Sequence, residues 1–86
     1  MTLVVVLADR LRAVRERRGL TQVEAVARMP GSIKRGYLND IEKGRRTNLT
    51  IEMLARIGRA YGMTVGELLD GVDYPLDDDA PAPESG

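Results

Sequence analysis

Thr21-Gln22-Val23-Glu24-Ala25-Val26-Ala27-Arg28-Met29-Pro30-Gly31-Ser32-Ile33-Lys34-Arg35-Gly36-Tyr37-Leu38-Asn39-Asp40-Ile41-Glu42-Lys43-Gly44 decides the fold of this 86-residue chain. Thr21 followed by Glu24 is a capping box, in which a hydroxyl and a carboxylate each satisfy one orphan backbone N–H, so a helix starts there. It runs through Ala25, Val26, Ala27 and Met29 and stops near Pro30-Gly31, because proline lacks the donor and glycine permits the turn. A second helix resumes at Lys34 or Arg35, turns Leu38 and Ile41 inward and ends at Gly44. The stretch therefore predicts two short helices joined by a glycine-containing turn.

Upstream, Val4, Leu7, Leu11 and Val14 recur at helical spacing, and Gly19 stands where a helix would close, which predicts a first helix over 4–18. The three successive valines also suit a strand, so its start stays open. Downstream, Thr50 caps a helix whose inward stripe is Leu54, Ile57, Gly58 and Tyr61, with Gly62 at its end. Thr64 and Glu67 form a second capping box for a short helix over 65–70, flanked by Met63 and Leu68 at staple positions, with Gly71 behind. The expected core is Leu11, Val14, Val26, Met29, Ile33, Leu38, Ile41, Leu54, Ile57 and Leu68. Residues 75–86 are acidic and contain proline, with almost nothing to bury, and should be disordered when alone. The expected division is a helical domain over 1–74 and a tail over 75–86.

The net charge of zero hides a polarity along the chain. All thirteen Lys and Arg fall between Arg10 and Arg59, against six acids in residues 1–66, while residues 67–86 carry seven acids and no base. A basic body with an acidic tail points either to a polyanionic partner or to a well-solvated surface. The absence of Cys and His removes disulfides, thiolate metal sites and the commonest general base. No phosphate-cradling glycine loop and no convergent carboxylate set is visible, so no enzyme activity and no cofactor is expected. The apolar run Leu3 to Ala8 is too short to cross a membrane and has no basic segment before it, so no membrane association is expected.

The order of these elements resembles the Cro/C1-type, or Xre, helix-turn-helix family. The resemblance rests on Leu11-Arg12 and Arg15 before Gly19-Leu20-Thr21-Gln22, on Tyr37 to Arg45, and on Leu54 through Tyr61-Gly62-Met63-Thr64-Val65 to Glu67-Leu68-Leu69, over roughly residues 9–70. It implies an all-α, lambda-repressor-like bundle of five short helices, with helices 2 and 3 forming the helix-turn-helix. Three features depart from the family pattern. The distance from Thr21 to Gly44 is slightly long, the linker after Gly44 is also long and carries Leu49 where proline is common, and Gly36 sits on the second helix of the motif. Glycine there costs roughly 1 kcal/mol of helix propensity, while leaving room for a phosphate or a thymine methyl.

Carried over position by position, the resemblance implies that Arg35, Gly36, Tyr37, Asn39 and Asp40 read base edges in the major groove. Arg35 would grip guanine, Asn39 adenine and Asp40 cytosine. Tyr37 would meet a phosphate or a thymine methyl, or else be a buried ring with its hydroxyl at the surface. Asp40 has the alternatives of an ion pair with Arg35 or a local cap. Gln22, Lys34, Lys43, Arg45, Arg46, Thr47 and Asn48 would contact phosphates, which set register and supply affinity. Arg15 and Glu42 would form a structural salt bridge that orients the second helix of the motif.

The expected function is a sequence-specific, double-stranded-DNA-binding transcriptional regulator, a repressor acting as a homodimer on a two-fold operator. Dimer contacts would come from Leu3 to Leu7, from the last helix with Val65, Leu69, Val72 and Tyr74, or from both. The resemblance places such a protein in a bacterial or phage-infected cytoplasm, on the nucleoid. The alternative is a protein-binding component such as an antitoxin of a toxin–antitoxin pair, with a second protein as partner. The tail is then inert, screens the basic face, or folds onto that partner.

Overall fold

A computed structural model of the chain describes residues 3–46 and 49–72. The expected boundary at residue 74 and the tail over 75–86 lie outside the described residues, as do Thr47, Asn48 and Tyr74. The described residues form five helices and no strand: α1 (Leu3–Arg17), α2 (Gln22–Ala27), α3 (Arg35–Glu42), α4 (Ile51–Tyr61) and α5 (Val65–Leu68). The all-α bundle expected from the sequence is the fold.

The valine run resolves as helix, because Ala8, Leu11 and Val14 share one face and are buried together. Only the first turns of α1 project past the core, leaving Leu3 and Val5 each 41% exposed. Both capping boxes form. The Thr21 hydroxyl accepts from the Glu24 amide at 3.1 Å while Glu24 accepts from the Thr21 amide at 3.0 Å. Thr64 and Glu67 repeat the exchange at 3.0 Å in both directions. Thr50 caps α4 by accepting from the Met53 amide at 3.1 Å.

Helices α1, α3 and α4 end in one way. A glycine at φ of +70° to +72° follows each, namely Gly19, Gly44 and Gly62. The next amide then reaches five residues back: Leu20 to Arg15 at 3.2 Å, Arg45 to Asp40 at 2.9 Å and Met63 to Gly58 at 2.8 Å. This closure needs a left-handed residue and satisfies a carbonyl that the helix leaves open. At α4 it also brings the Met63 carbonyl so near Gly58 that a Cβ there would sit 2.6 Å from it. Gly58, a member of the expected inward stripe, is thus a close-approach position whose neighbour is the same helix's own exit.

Four ends fall short of expectation, that of α1 by one residue, at Arg17. Helix α2 stops at Ala27 rather than near Met29, because Arg28 and Met29 donate to Ala25 and Val26 in tighter three-residue turns before Pro30. Helix α3 ends at Glu42, with Lys43 as its cap, and α5 ends at Leu68 rather than about residue 70. The core holds eight of the expected residues; Val26 and Ile33 are half-buried and pack against its edge. Ala8, Leu20, Ala25, Ala60 and Tyr61 complete it. Tyr61 belongs to the inward stripe expected of α4, while the other four are small residues or a junction residue that a search for large apolar stripes passes over. No described helix is long and apolar enough to cross a membrane.

Candidate nucleic-acid interface

Helix α3 has two unlike sides. Leu38, Ile41 and Glu42 are buried, whereas Arg35, Gly36 and Lys43 are exposed and Asn39 and Asp40 half-exposed. Gly36, Asn39, Asp40 and Lys43 follow one another at helical spacing along the outward side. A Cβ built on Gly36 meets no atom within 4 Å, so the backbone is open at that point.

The inward carboxylate is what ties α3 to the rest of the molecule. Arg15 on α1 grips Glu42 with two hydrogen bonds, Nε to Oε2 at 2.7 Å and Nη2 to Oε1 at 2.9 Å, and spends Nη1 on the Leu20 carbonyl at 2.7 Å. The Glu42 side chain is only 2% exposed and that of Arg15 13%. Hydrogen bonding to Glu42 holds the Arg15 proton above its ordinary affinity, against the opposing effect of burial. The planar fork suits this geometry and leaves little rotational freedom.

Gln22 extends the network toward the outward side. Its amide nitrogen donates to Glu42 Oε1 at 3.1 Å and to Asn39 Oδ1 at 3.2 Å, and its oxygen accepts from Arg35 Nη1 at 3.3 Å. Gln22 is the first residue of α2, so it bridges the two helices of the motif and holds Arg35 and Asn39 in relation to one another. Asp40 approaches Arg45 at 3.6 Å between exposed side chains, while Arg35 turns instead to Gln22. Tyr37 is half-buried against the core, and the Arg46 guanidinium lies over its ring at 4.4 Å from the centroid. Lys34 precedes α3 as its N-cap residue without a side-chain cap, and Lys43 closes it. Thr47 and Asn48 lie outside the described residues.

Between α3 and α4 runs an open groove of about 540 Å³, floored by Ile33, Tyr37 and Met53 with Lys34 and Arg46 at its rim and Gly36 on its wall. Met53 was not singled out in the sequence, since one methionine on a helix carries no distinguishing signal. The bridging role of Gln22 was likewise unreadable, because its partners are 13 to 20 residues away. A third missed feature is the Tyr61 hydroxyl, which is buried close to the Arg15 and Glu42 charges with no hydrogen-bond partner among the described residues. Burial pushes its ionisation well above the ordinary phenol range.

Two short helices held by a bidentate ion pair, the second with one polar side turned outward among cations, define a helix-turn-helix of the kind that enters a DNA groove. A helix-turn-helix domain family matches residues 6–70. The HTH-type transcriptional regulator DdrOP3 of Deinococcus deserti is 39% identical over 80 residues, covering 93% of this chain and 60% of that protein. The chain thus spans well under two thirds of the length of this curated relative. The clp gene regulator ClgR from C. glutamicum superposes with a TM-score of 0.70 at 30% identity, over 80% of this chain and 86% of that one. The restriction-modification controller protein C.AhdI from Aeromonas hydrophila does so with a TM-score of 0.67 at 26% identity, over 76% and 94%. The chain belongs to the helix-turn-helix family of DNA-binding transcriptional regulators, in its Cro/C1-type, lambda-repressor-like form.

Proposed function

We propose that this chain is a cytoplasmic repressor that binds a two-fold symmetric operator as a homodimer, reading each half-site with the outward side of α3. The observation that carries the reading is the row Gly36, Asn39, Asp40 and Lys43, exposed or half-exposed along one side of α3. In this reading Arg35 and Asn39, already positioned by Gln22, meet guanine and adenine edges, and Asp40 accepts from cytosine. Gly36 lets the backbone come close to a base or a phosphate, with Tyr37 beside it. Gln22, Lys34, Lys43, Arg45, Arg46, Thr47 and Asn48 hold phosphates. The partly exposed Leu3 and Val5 of α1 support a contact between two copies. A single module of this size covers too little DNA for high specificity, which favours the dimer.

Selection of bound sites from random double-stranded DNA, followed by footprinting, tests this. The expected result is an inverted repeat whose half-sites are about one helical turn, or a multiple of it, apart. Enrichment of a single asymmetric half-site would reject the dimer, and no enrichment would reject sequence reading.

A further inference from the structure

A second concentration of positive charge lies away from α3, where α1, α2 and α4 end. Arg10, Arg17 and Arg18 line a cleft of about 210 Å³ with Met63. Arg18 also lines a neighbouring cleft of about 380 Å³ with Arg28, Arg59 and Tyr61. Arg17 lies in the last turn of α1 with Arg18 following it, Arg28 caps α2, and Arg59 is in the last turn of α4. A cation at a helix C-terminus complements the helix dipole, which accounts for each residue singly. It does not account for four guanidinium groups converging on two clefts that share Arg18.

Arg12, Arg15, Arg45 and Arg56 each have an acidic partner within ion-pair distance, whereas Arg17, Arg18, Arg28 and Arg59 have none among the described residues. The carboxylates that face Arg18 and Arg28 are otherwise engaged. Glu67 feels Arg18 and Glu24 feels Arg28 only weakly, since each carboxylate is committed first to its own cap, with Thr64 and Thr21. An acidic ligand is therefore the missing complement of this surface.

We propose that the surface formed by Arg17, Arg18, Arg28 and Arg59 receives the acidic segment Asp77-Asp78-Asp79 of the same chain. Two observations select this occupant. Residues 73–86 contain five acids and no base, three of them consecutive, so their charge matches what the clefts lack. The path is also short. Arg10 Nε donates to the Leu68 carbonyl at 2.8 Å, which sets the end of α5 beside the first cleft. From Val72 the chain spans up to about 18 Å by Asp77, while Arg10 to Arg17 is a rise of only about 10 Å along α1. Docking there neutralises the body's excess charge on a side that does not carry α3, and the inference does not depend on how α3 reads DNA.

The absence of cysteine allows a single nitroxide label at Ala80→Cys in the full chain. At low salt the label should remove most of the amide signal intensity at Arg17, Arg18, Arg28 and Arg59 relative to the reduced label. The loss should vanish in a D77N/D78N/D79N background, and also near 1 M salt, where charges are screened beyond about 3 Å. Signal loss centred on residues 35–43, loss at no defined surface, or loss indifferent to the three substitutions overturns the proposal. Mixing labelled, isotopically normal chain with unlabelled 15N-enriched chain gives the remaining check. Full signal loss in that mixture means that a second copy's tail occupies the clefts, and it overturns the intramolecular assignment.

Discussion

Glu42 is the residue on which the geometry of the interface turns. With its side chain 2% exposed, its charge is tolerable only because Arg15 and Gln22 supply three hydrogen bonds to it. Arg15→Met leaves that carboxylate uncompensated and should cost about 3–5 kcal/mol, more than removal of both charges in R15M/E42L. Urea denaturation of the two single variants and the double completes the thermodynamic cycle. Tyr61 presents the opposite case, a buried hydroxyl without a partner among the described residues. Tyr61→Phe should therefore raise stability by about 1 kcal/mol. Its pH dependence has a definite sign. A folded-state phenol held above its ordinary value of 10 contributes stability below that pH, and this is lost as pH rises past it. The Phe variant should lack this alkaline loss, as thermal melts across the range would show.

At the level of the elements, short helices depend on their ends, since six- and four-residue segments such as α2 and α5 are too short to persist on propensity. The capping carboxylates report this through pH. Hydrogen bonds from the backbone and side chain of Thr21 and Thr64 lower Glu24 and Glu67 below the ordinary value of 4.5. Their contribution is thus present above that pH and lost as pH falls through the depressed values. Glu24→Gln and Glu67→Gln, which remove the titrating carboxylates, should flatten the acid limb of a stability–pH profile. Thr50→Ala, whose cap has no carboxylate, should instead lower stability by about 1 kcal/mol with little pH dependence. Gly36 separates folding from recognition. Gly36→Ala introduces a methyl that meets nothing within 4 Å, so it should stabilise α3 by roughly 0.5–1 kcal/mol. If the proposed face reads DNA, the same variant weakens operator binding, and denaturation and mobility-shift titration measured together distinguish the two effects.

For the whole molecule, the distribution of charge matters more than its sum of zero. DNA affinity should fall steeply with salt, because each phosphate neutralised releases counterions and adds about 0.9 to the slope of log K against log salt. Lys43→Ala should reduce that slope by about 1 and weaken all sequences alike, whereas Asn39→Ala should cost about 1–3 kcal/mol at one base position. Affinities titrated across a salt series on operator and random DNA separate these outcomes. An Asn39→Ala effect equal on both DNAs would remove Asn39 from base reading.

Much of the architecture was legible in the sequence because its signals are local: Thr–Glu pairs three apart, glycines after apolar stripes, and Pro30-Gly31 between two helices. Such features act within a few residues, so they survive without knowledge of neighbours. The resemblance added the Arg15 and Glu42 assignment, and the two side chains do meet. The sequence could not show that Gln22 joins Arg35, Asn39 and Glu42, that Arg46 settles on Tyr37 while Arg35 leaves Asp40 to Arg45, or that Arg17, Arg18, Arg28 and Arg59 share two clefts. Those juxtapositions depend on how α1, α2 and α4 cross and on which rotamers the crossings leave free. The local code therefore determined which helices form and which side of α3 turns inward, while packing of distant segments decided the partners of the polar side chains at both charged surfaces.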